Sequence, residues 1–357
     1  MLFSDPTLSG EKRTQGMLAR LIAQHDHFRL PLPFGPRAGW HKEWHHFCIL
    51  GSDVQAILNL SLCGDTRPGA THGAQVARVI LMMYGHAWSG DVDTIPMRDV
   101  VVRPGLIDLR FGHNTVRFEN GIFELSAALQ DYPIGLVLQL RPLTLPFLMR
   151  SNTPIGPGTI NWFVVPRLFA SGTITIGQRV HMLNEVAAYH DHNWGKWLWG
   201  HDFAWEWGFM LPDHADVPWS IVFNRTTNRA RSHVLELTLA LWKDEALYRI
   251  FTQDEIKVRS TGYLSLSRPP KLPRVLALVA PESTADIPSS LDITAATGDD
   301  YLLYHFESED AAQIIIPNDT DLGVTIINEV AGHARLEGVV RGESIEMEGK
   351  TIFEFLT

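Results

Sequence analysis

The chain has 357 residues, of which 45% are hydrophobic and 20% charged, and its 30 basic and 40 acidic side chains leave a net charge of −10. That length exceeds what one ordinary core needs and suits two domains, and the apolar fraction is that of a globular rather than a disordered protein. No run of Lys or Arg occurs, so the basic footprint that nucleic acids and anionic membrane surfaces require is missing and neither is an expected partner.

The first residues, Met1-Leu2-Phe3-Ser4-Asp5-Pro6, lack a basic stretch followed by an apolar one, which argues against a secretory leader. Nowhere do about eighteen apolar residues run together, so no membrane-spanning helix is expected. The sequence reads as cytoplasmic. Cys48 and Cys63 are the only cysteines, outside any CxxC or zinc-like spacing. Two buried or half-buried thiols are the preferred reading, with a single disulfide left open.

Only the beginning reads as helix. Ser9 can cap a segment from Gly10 to about His27, in which Met17, Leu18, Leu21 and Ile22 recur at three- and four-residue spacing. The Pro-rich stretch Leu30–Pro36 ends it. Strand signals dominate from there. Leu106 to Phe111 alternates, and Asn120-Gly121 separates Thr115–Glu119 from Ile122–Ala128 as a hairpin turn, since both central positions want positive φ. Ile134–Leu140, the run Phe203-x-Trp205-x-Trp207-x-Phe209, His233–Trp242, Ile314–Ile316, Val324–Ile327 and Ile352–Phe355 are further strands. Ser151–Gly158 reads as a turn-rich connector, and Arg268–Ser290, with five prolines, as a long surface connection. Short strands at this spacing imply an all-β sandwich or barrels, not a doubly wound sheet. The expected organisation is a helical arm over 1–35, a first β domain over 36–180 and a second over 181–357.

Residues 186–210 hold most of the chemical information. Five of the eleven tryptophans (Trp194, Trp197, Trp199, Trp205, Trp207) fall here, beside His190, Asp191, His192, His201 and Asp202. Aromatic area next to titratable groups is what a ligand pocket needs; a Trp-rich core with its indole N–H groups satisfied by carboxylates explains the composition equally well. His190 and His192 share a strand face and could reach one ion. No third ligand stands at a cupin-like spacing, where Lys196 and Trp197 sit instead, and Glu206 is only a remote option, so no metal is expected. No GxSxG elbow, phosphate loop or dinucleotide fingerprint occurs.

Tyr189-His190-Asp191-His192-Asn193-Trp194-Gly195, followed by Phe203-x-Trp205-x-Trp207-Gly208, resembles the signature of the carotenoid 1,2-hydratase (hydroxyneurosporene synthase) and AttH-like group, with its Gly-Tyr-x-Asp-x-Asn-aromatic-Gly stretch and aromatic-rich strand. Glu43-Trp44-His45-His46-Phe47 resembles that group's Glu-Trp-Trp-Tyr-Phe, with His45 and His46 in place of two aromatics. Val165-Pro166-Arg167 followed by Gly172-Thr173-Ile174 resembles the strand pair before the Asp motif. These pieces span residues 43–208 in the group's order.

The resemblance implies two lipocalin-like antiparallel β-barrels, a pocket near their junction, and hydration, cyclisation or pericyclic closure of a hydrophobic terpenoid or polyene without metal or organic cofactor. Asp191 maps onto the group's Asp. Protonating an alkene needs an acid held neutral until used, and a carboxyl in an apolar aromatic pocket meets that need. Asp191 is therefore the expected proton donor, with Tyr189, His190 and His192 beside it; the bland reading makes it an ionised pin at a strand junction. In a regular strand both histidines point away from Asp191, so a joint role calls for a bulge. Trp194, Trp205 and Trp207 are expected to line the pocket and stabilise a cation through their π faces, with Trp44, His45 and His46 added from the first domain. Two rivals remain: a pericyclase without an obligate acid, and a lipocalin-type carrier.

Overall fold

The computed structural model describes residues 10–29, 37–66, 73–213, 216–266, 269–279 and 286–357. Ser9, the Leu30–Pro36 stretch and part of the 268–290 connection lie outside the described residues.

The chain is all-β with one short N-terminal helix, Gly10–His25. Among the described residues, two large sheets and four short 3-10 turns make up the remaining regular structure. The first runs, in spatial order, Trp88–Ile95, Gln75–Tyr84, Gln55–Gly64, His41–Leu50, Arg179–Lys196, Gly158–Ile176, Ile134–Pro142, Ile122–Ala128, Asn114–Glu119, Asp108–Phe111 and Val100–Val102. The second runs Ala246–Thr252, Val234–Lys243, Trp219–Thr227, Ala204–Met210, Glu343–Leu356, Val324–Val340, Asp300–Pro317, Ser290–Thr297 and Ile256–Thr261. All these pairings are antiparallel; the two-residue strand Lys271–Leu272 joins Asp300–Pro317 in parallel. The Asn120-Gly121 turn takes the positive φ values expected of it, 53° and 82°, between strands Asn114–Glu119 and Ile122–Ala128.

Each sheet curls around its own core. Phe47, Leu58, Val79, Phe111, Phe123, Leu138 and Val165, drawn from strands along the whole first sheet, form one buried cluster. Leu18 and Ile22, one helical turn apart, bury the helix's apolar stripe in that cluster, and Phe28 follows them inside. A second cluster fills the other sheet. A third joins them: Tyr189, Trp162 and Val164 from the first sheet pack on Trp205, Trp207, Phe209, Ala331 and Ile352 from the second. Strands at this junction are buried on both faces, as Ala204–Met210 is throughout.

Three features differ from the sequence expectations. Ser151–Ile155 is strand, paired irregularly with Gly158–Ile176 across a tight turn at Gly156, because the edge position tolerates its register shifts. The Arg268–Ser290 connection, in its described part, does more than cross the surface, since Leu272 is buried in the junction cluster. Arg179–Lys196 belongs to the first sheet, and the chain changes sheet between Lys196 and Ala204. We propose that short connector, rather than residue 180, as the domain boundary. Both cysteines are free and buried. Among the described residues no helix is long and apolar enough to cross a membrane.

Candidate active site

The strand Arg179–Lys196 divides two polar environments. Its pairing with His41–Leu50 is unbroken from Lys196↔His41 to Ala187↔Leu50. Alternation therefore holds, with no bulge between Tyr189 and Trp194. Tyr189, Asp191 and Asn193 point to the junction between the sheets. His190, His192 and Trp194 point into the first barrel. The neighbouring strand alternates in step: Trp44, His46 and Cys48 face the junction, while Glu43, His45 and Phe47 face inward.

On the junction side His46 stands opposite both Asp191 and Asn59. The second sheet presents a matching row in which Asn224 pairs with Trp207, Trp207 with Glu354, and Glu354 with Glu329. The rows meet edge-on where the His46 ring lies 5.5 Å from Trp207, and Tyr189 stacks on Phe209 at 4.3 Å. Between the rows lies a narrow recess of about 40 Å³, lined by Trp44, Trp162, Asp191, Trp205, Trp207 and Glu354. Arg150, paired with Glu236 at 2.7 Å, and Asn224 also reach it. Beside it lies a larger chamber of about 380 Å³, walled by Ile57, Ile80, Val92, Leu276, Ile316 and Ile327. Trp44, His46 and Glu354 line both spaces. The chamber falls within the usual range for small-molecule sites.

Asp191 is 3% exposed. It accepts hydrogen bonds from Tyr189 Oη (3.0 Å) and Asn193 Nδ2 (2.8 Å). Burial pushes its carboxyl well above the usual range; donation from Trp162 and Tyr189 opposes the shift, and the nearby Glu354 and Asp26 carboxyls add to it. Desolvation outweighs the donors, so the neutral acid is the favoured form. Glu354 accepts from Trp205 Nε1 and is pushed up to about 7, mainly by burial. Glu329 is raised further, by burial and then by Glu354. Burial lowers His46 to about 3, so it is neutral; its Nε2 lies 3.1 Å from Cys48 Sγ.

The inward face carries a different cluster, tied to the segment after the helix. His190 Nε2 is 2.8 Å from Asp26 Oδ2, and His190 Nδ1 is 3.0 Å from the His46 carbonyl. A carbonyl only accepts, so Nδ1 carries the ring proton and Nε2 is left as an acceptor. Burial holds His190 near 3 and raises Asp26 to about 7, so the contact closes with a proton on Asp26. His45 Nε2 donates to the Asp26 carbonyl at 2.8 Å, and burial lowers His45 to about 4. His192 Nε2 meets Glu43 Oε1 at 3.0 Å, and the Arg29 amide donates to the same oxygen at 2.7 Å. Phe47 stacks on His190 at 4.0 Å. The Arg29 guanidinium covers Trp194 at 3.3 Å. Asp26, His45 and His190 each bring one ligand-type atom within 4.8 Å of the others, close enough for a metal ion by distance alone. The ring protons that the two carbonyls demand leave the lone pairs of His190 Nε2 and His45 Nδ1 open, and His190 Nε2 meets Asp26 Oδ2.

The residues singled out from sequence thus separate into two groups. Tyr189, Asp191, Trp44, His46, Trp205 and Trp207 meet at the junction. His190, His192, His45 and Trp194 lie behind them in the first barrel and do not reach the recess. Sequence reasoning missed Glu329, Glu354, Trp162 and Asn193 on one face, and Asp26 and Glu43 on the other. Glu329 and Glu354 did leave a signal: each is a charged residue inside a mostly apolar run (Ile326–Ala331, Ile352–Leu356), where a carboxyl, buried at Glu329 and half-buried at Glu354, is rare without a reason.

No family profile and no curated protein matches the chain by sequence. Solved structures do match in shape. A Nitrosomonas europaea protein assigned as a candidate AttH superposes with a TM-score of 0.62 at 14% identity, over 92% of this chain and 96% of that one. The chain has their fold. Kievitone hydratase from Nectria haematococca matches at 0.57 and 11% identity, over 92% of each chain. CghA, solved with Sch210972, matches at 0.57 and 11%, over 92% and 93%.

Proposed function

We propose that this protein is a hydratase or cyclase that binds a hydrophobic terpenoid or polyene in the junction chamber and protonates one of its double bonds from Asp191. The observation that carries this reading is a buried carboxyl, held toward its neutral form, in the wall of a four-tryptophan recess that adjoins a mostly apolar chamber. An alkene end that reaches the recess takes its proton from Asp191. The faces of Trp44, Trp162, Trp205 and Trp207 then stabilise the carbocation, at roughly 0.5–2 kcal/mol for each well-placed ring. Tyr189 and Asn193 aim the carboxyl, since both hydrogen-bond to it. Addition of water gives an alcohol, and attack by a second double bond gives a ring. Neither route needs a metal or organic cofactor. The shared fold with a protein named as a hydratase supports this reading.

The test is incubation with linear isoprenoids (geraniol, farnesol, geranylgeraniol) and longer polyenes in deuterated water, followed by mass spectrometry. Deuterium on carbon is expected in the product. Product without carbon-bound deuterium refutes protonation and leaves a pericyclic reaction. Tight binding with no product leaves a carrier.

A further inference from the structure

Glu329 and Glu354 stand directly opposite each other on adjacent strands, with both side chains on the face that borders the chamber, close enough that Glu354 raises Glu329. A carboxylate only accepts, so two carboxyls can bond only around a proton. Both border the hydrophobic chamber, and Glu354 also borders the recess that holds Asp191. Glu329 is 1% exposed, and no N–H or hydroxyl of the described residues donates to its Oε2. A buried carboxyl oxygen beside a hydrophobic chamber, stabilised by no amide or hydroxyl, is costly and adds nothing to packing. An acceptor placed there suits a ligand that brings a proton.

We propose that Glu329 and Glu354 form a proton-sharing pair that acts as the general base of the site, taking the proton released when water adds to the substrate cation. This rests on the reading of Asp191 as the acid. In the hydration step the O–H bond of Asp191 breaks, and the alkene π pair forms the new C–H bond, leaving a cation on the adjacent carbon. A water oxygen forms the C–O bond, and its departing proton goes to the pair, which holds one proton beforehand and two afterwards. Loss of one proton from the pair to solvent, and gain of one by the Asp191 carboxylate, restores the starting state. In a cyclisation the pair takes the proton from the carbon next to the final cation, and a double bond forms there.

The position of the pair explains the division of labour. Asp191 lines the recess of about 40 Å³ and Glu329 the chamber of about 380 Å³, with Glu354 on both, so the pair reaches from the acid's recess into the chamber. The titratable and charged groups facing the pair are Asp191, His46 and Cys48, with Cys63 and Arg78 across the chamber. Two carboxyls this close titrate as a pair, in two steps.

Infrared pH titration of the intact protein and of Glu329→Gln, Glu354→Gln and Asp191→Asn tests the protonation. The wild type should keep a neutral-carboxyl band from the pair at pH 7. Either Glu→Gln variant should replace the two-step titration with one step, and Asp191→Asn should leave both steps in place. A neutral-carboxyl band unchanged by both Glu→Gln substitutions overturns the pair. Farnesol in deuterated water tests the role. The Glu→Gln variants should still exchange deuterium onto carbon in the recovered farnesol, the cation returning a proton to the Asp191 carboxylate, while hydrated or cyclised product falls about 10²–10⁴-fold. Asp191→Asn should abolish both. Product formation within twofold of wild type in both Glu→Gln variants overturns the base assignment and leaves Asp191 standing. Full deuteration by Asp191→Asn instead sinks the acid reading and leaves the pair intact.

Discussion

Replacing Asp191 with Asn separates chemistry from architecture. The carboxyl accepts two hydrogen bonds, from Tyr189 Oη and Asn193 Nδ2. An amide at this position keeps one acceptor oxygen, which can retain the Asn193 bond. Its NH₂ then faces the Tyr189 oxygen, which can accept once the hydroxyl proton rotates away. One bond is re-formed in reverse and the donation from Trp162 is weakened, so the structural cost is about 1–2 kcal/mol. The pH term offsets even this. Burial raises Asp191 above its unfolded value, so the folded state binds the proton more tightly. That favours folding below the unfolded pKa near 3.9, and the advantage is lost as pH rises toward the folded pKa. An amide has no such loss. Near neutral pH the variant should melt within a few degrees of the wild type. The chemical loss is larger: removing a general acid costs about 10²–10⁴-fold, or about 3–5 kcal/mol of barrier. The assay is turnover per folded molecule on the isoprenoid that gives product, beside its dissociation constant and a circular dichroism melt. Wild-type turnover should fall on the alkaline side as Asp191 ionises, and that limb should vanish in the variant. Turnover within a factor of a few of wild type, in a folded variant that binds normally, refutes the acid role.

Other outcomes follow from the same geometry. Asp26 rises from 3.8 to about 7 by burial, so wild-type stability should decline between about pH 4 and 7; in Asp26→Asn the amide can donate to His190 Nε2, and part of that slope should disappear from melts taken across the window. A slope unchanged in Asp26→Asn would show that Asp26 does not carry that proton. A Cβ at Gly195 would lie 2.1 Å from the Thr159 carbonyl oxygen and 3.0 Å from Ile160 Cα; because backbone cannot yield there cheaply, Gly195→Ala should cost about 1–3 kcal/mol in urea unfolding, and a neutral result would mean the two strands are less closely apposed. Dialysis against a strong chelator should leave both the melting temperature and turnover unchanged, because a proton on Asp26 closes its contact with His190 Nε2. Stoichiometric metal lost together with stability would overturn that contact.

Local pattern determined a good deal of this protein. The Asn120-Gly121 hairpin, the single helix and the class of fold follow from turn chemistry, from the spacing of Leu18 and Ile22, and from period-two alternation, all of which act over a few residues. The Asp191 segment stood out because aromatic and titratable residues crowd it. Alternation alone also implied that His190 and His192 turn their backs on Asp191, and the unbroken register from Ala187 to Lys196 keeps them there. Tertiary structure decided what each face meets. That Asp26 reaches His190 depends on the helix and Phe28 entering the first barrel. That Glu329 and Glu354 stand beside Asp191 depends on strands from the far end of the chain packing against His41–Leu50 and Arg179–Lys196. Alternation specifies which residues share a face, but it carries no information about which distant face lies opposite. That is set by burying the outer faces of two barrels against each other, a non-local gain of apolar contact to which Tyr189, Trp162, Trp205 and Trp207 all contribute.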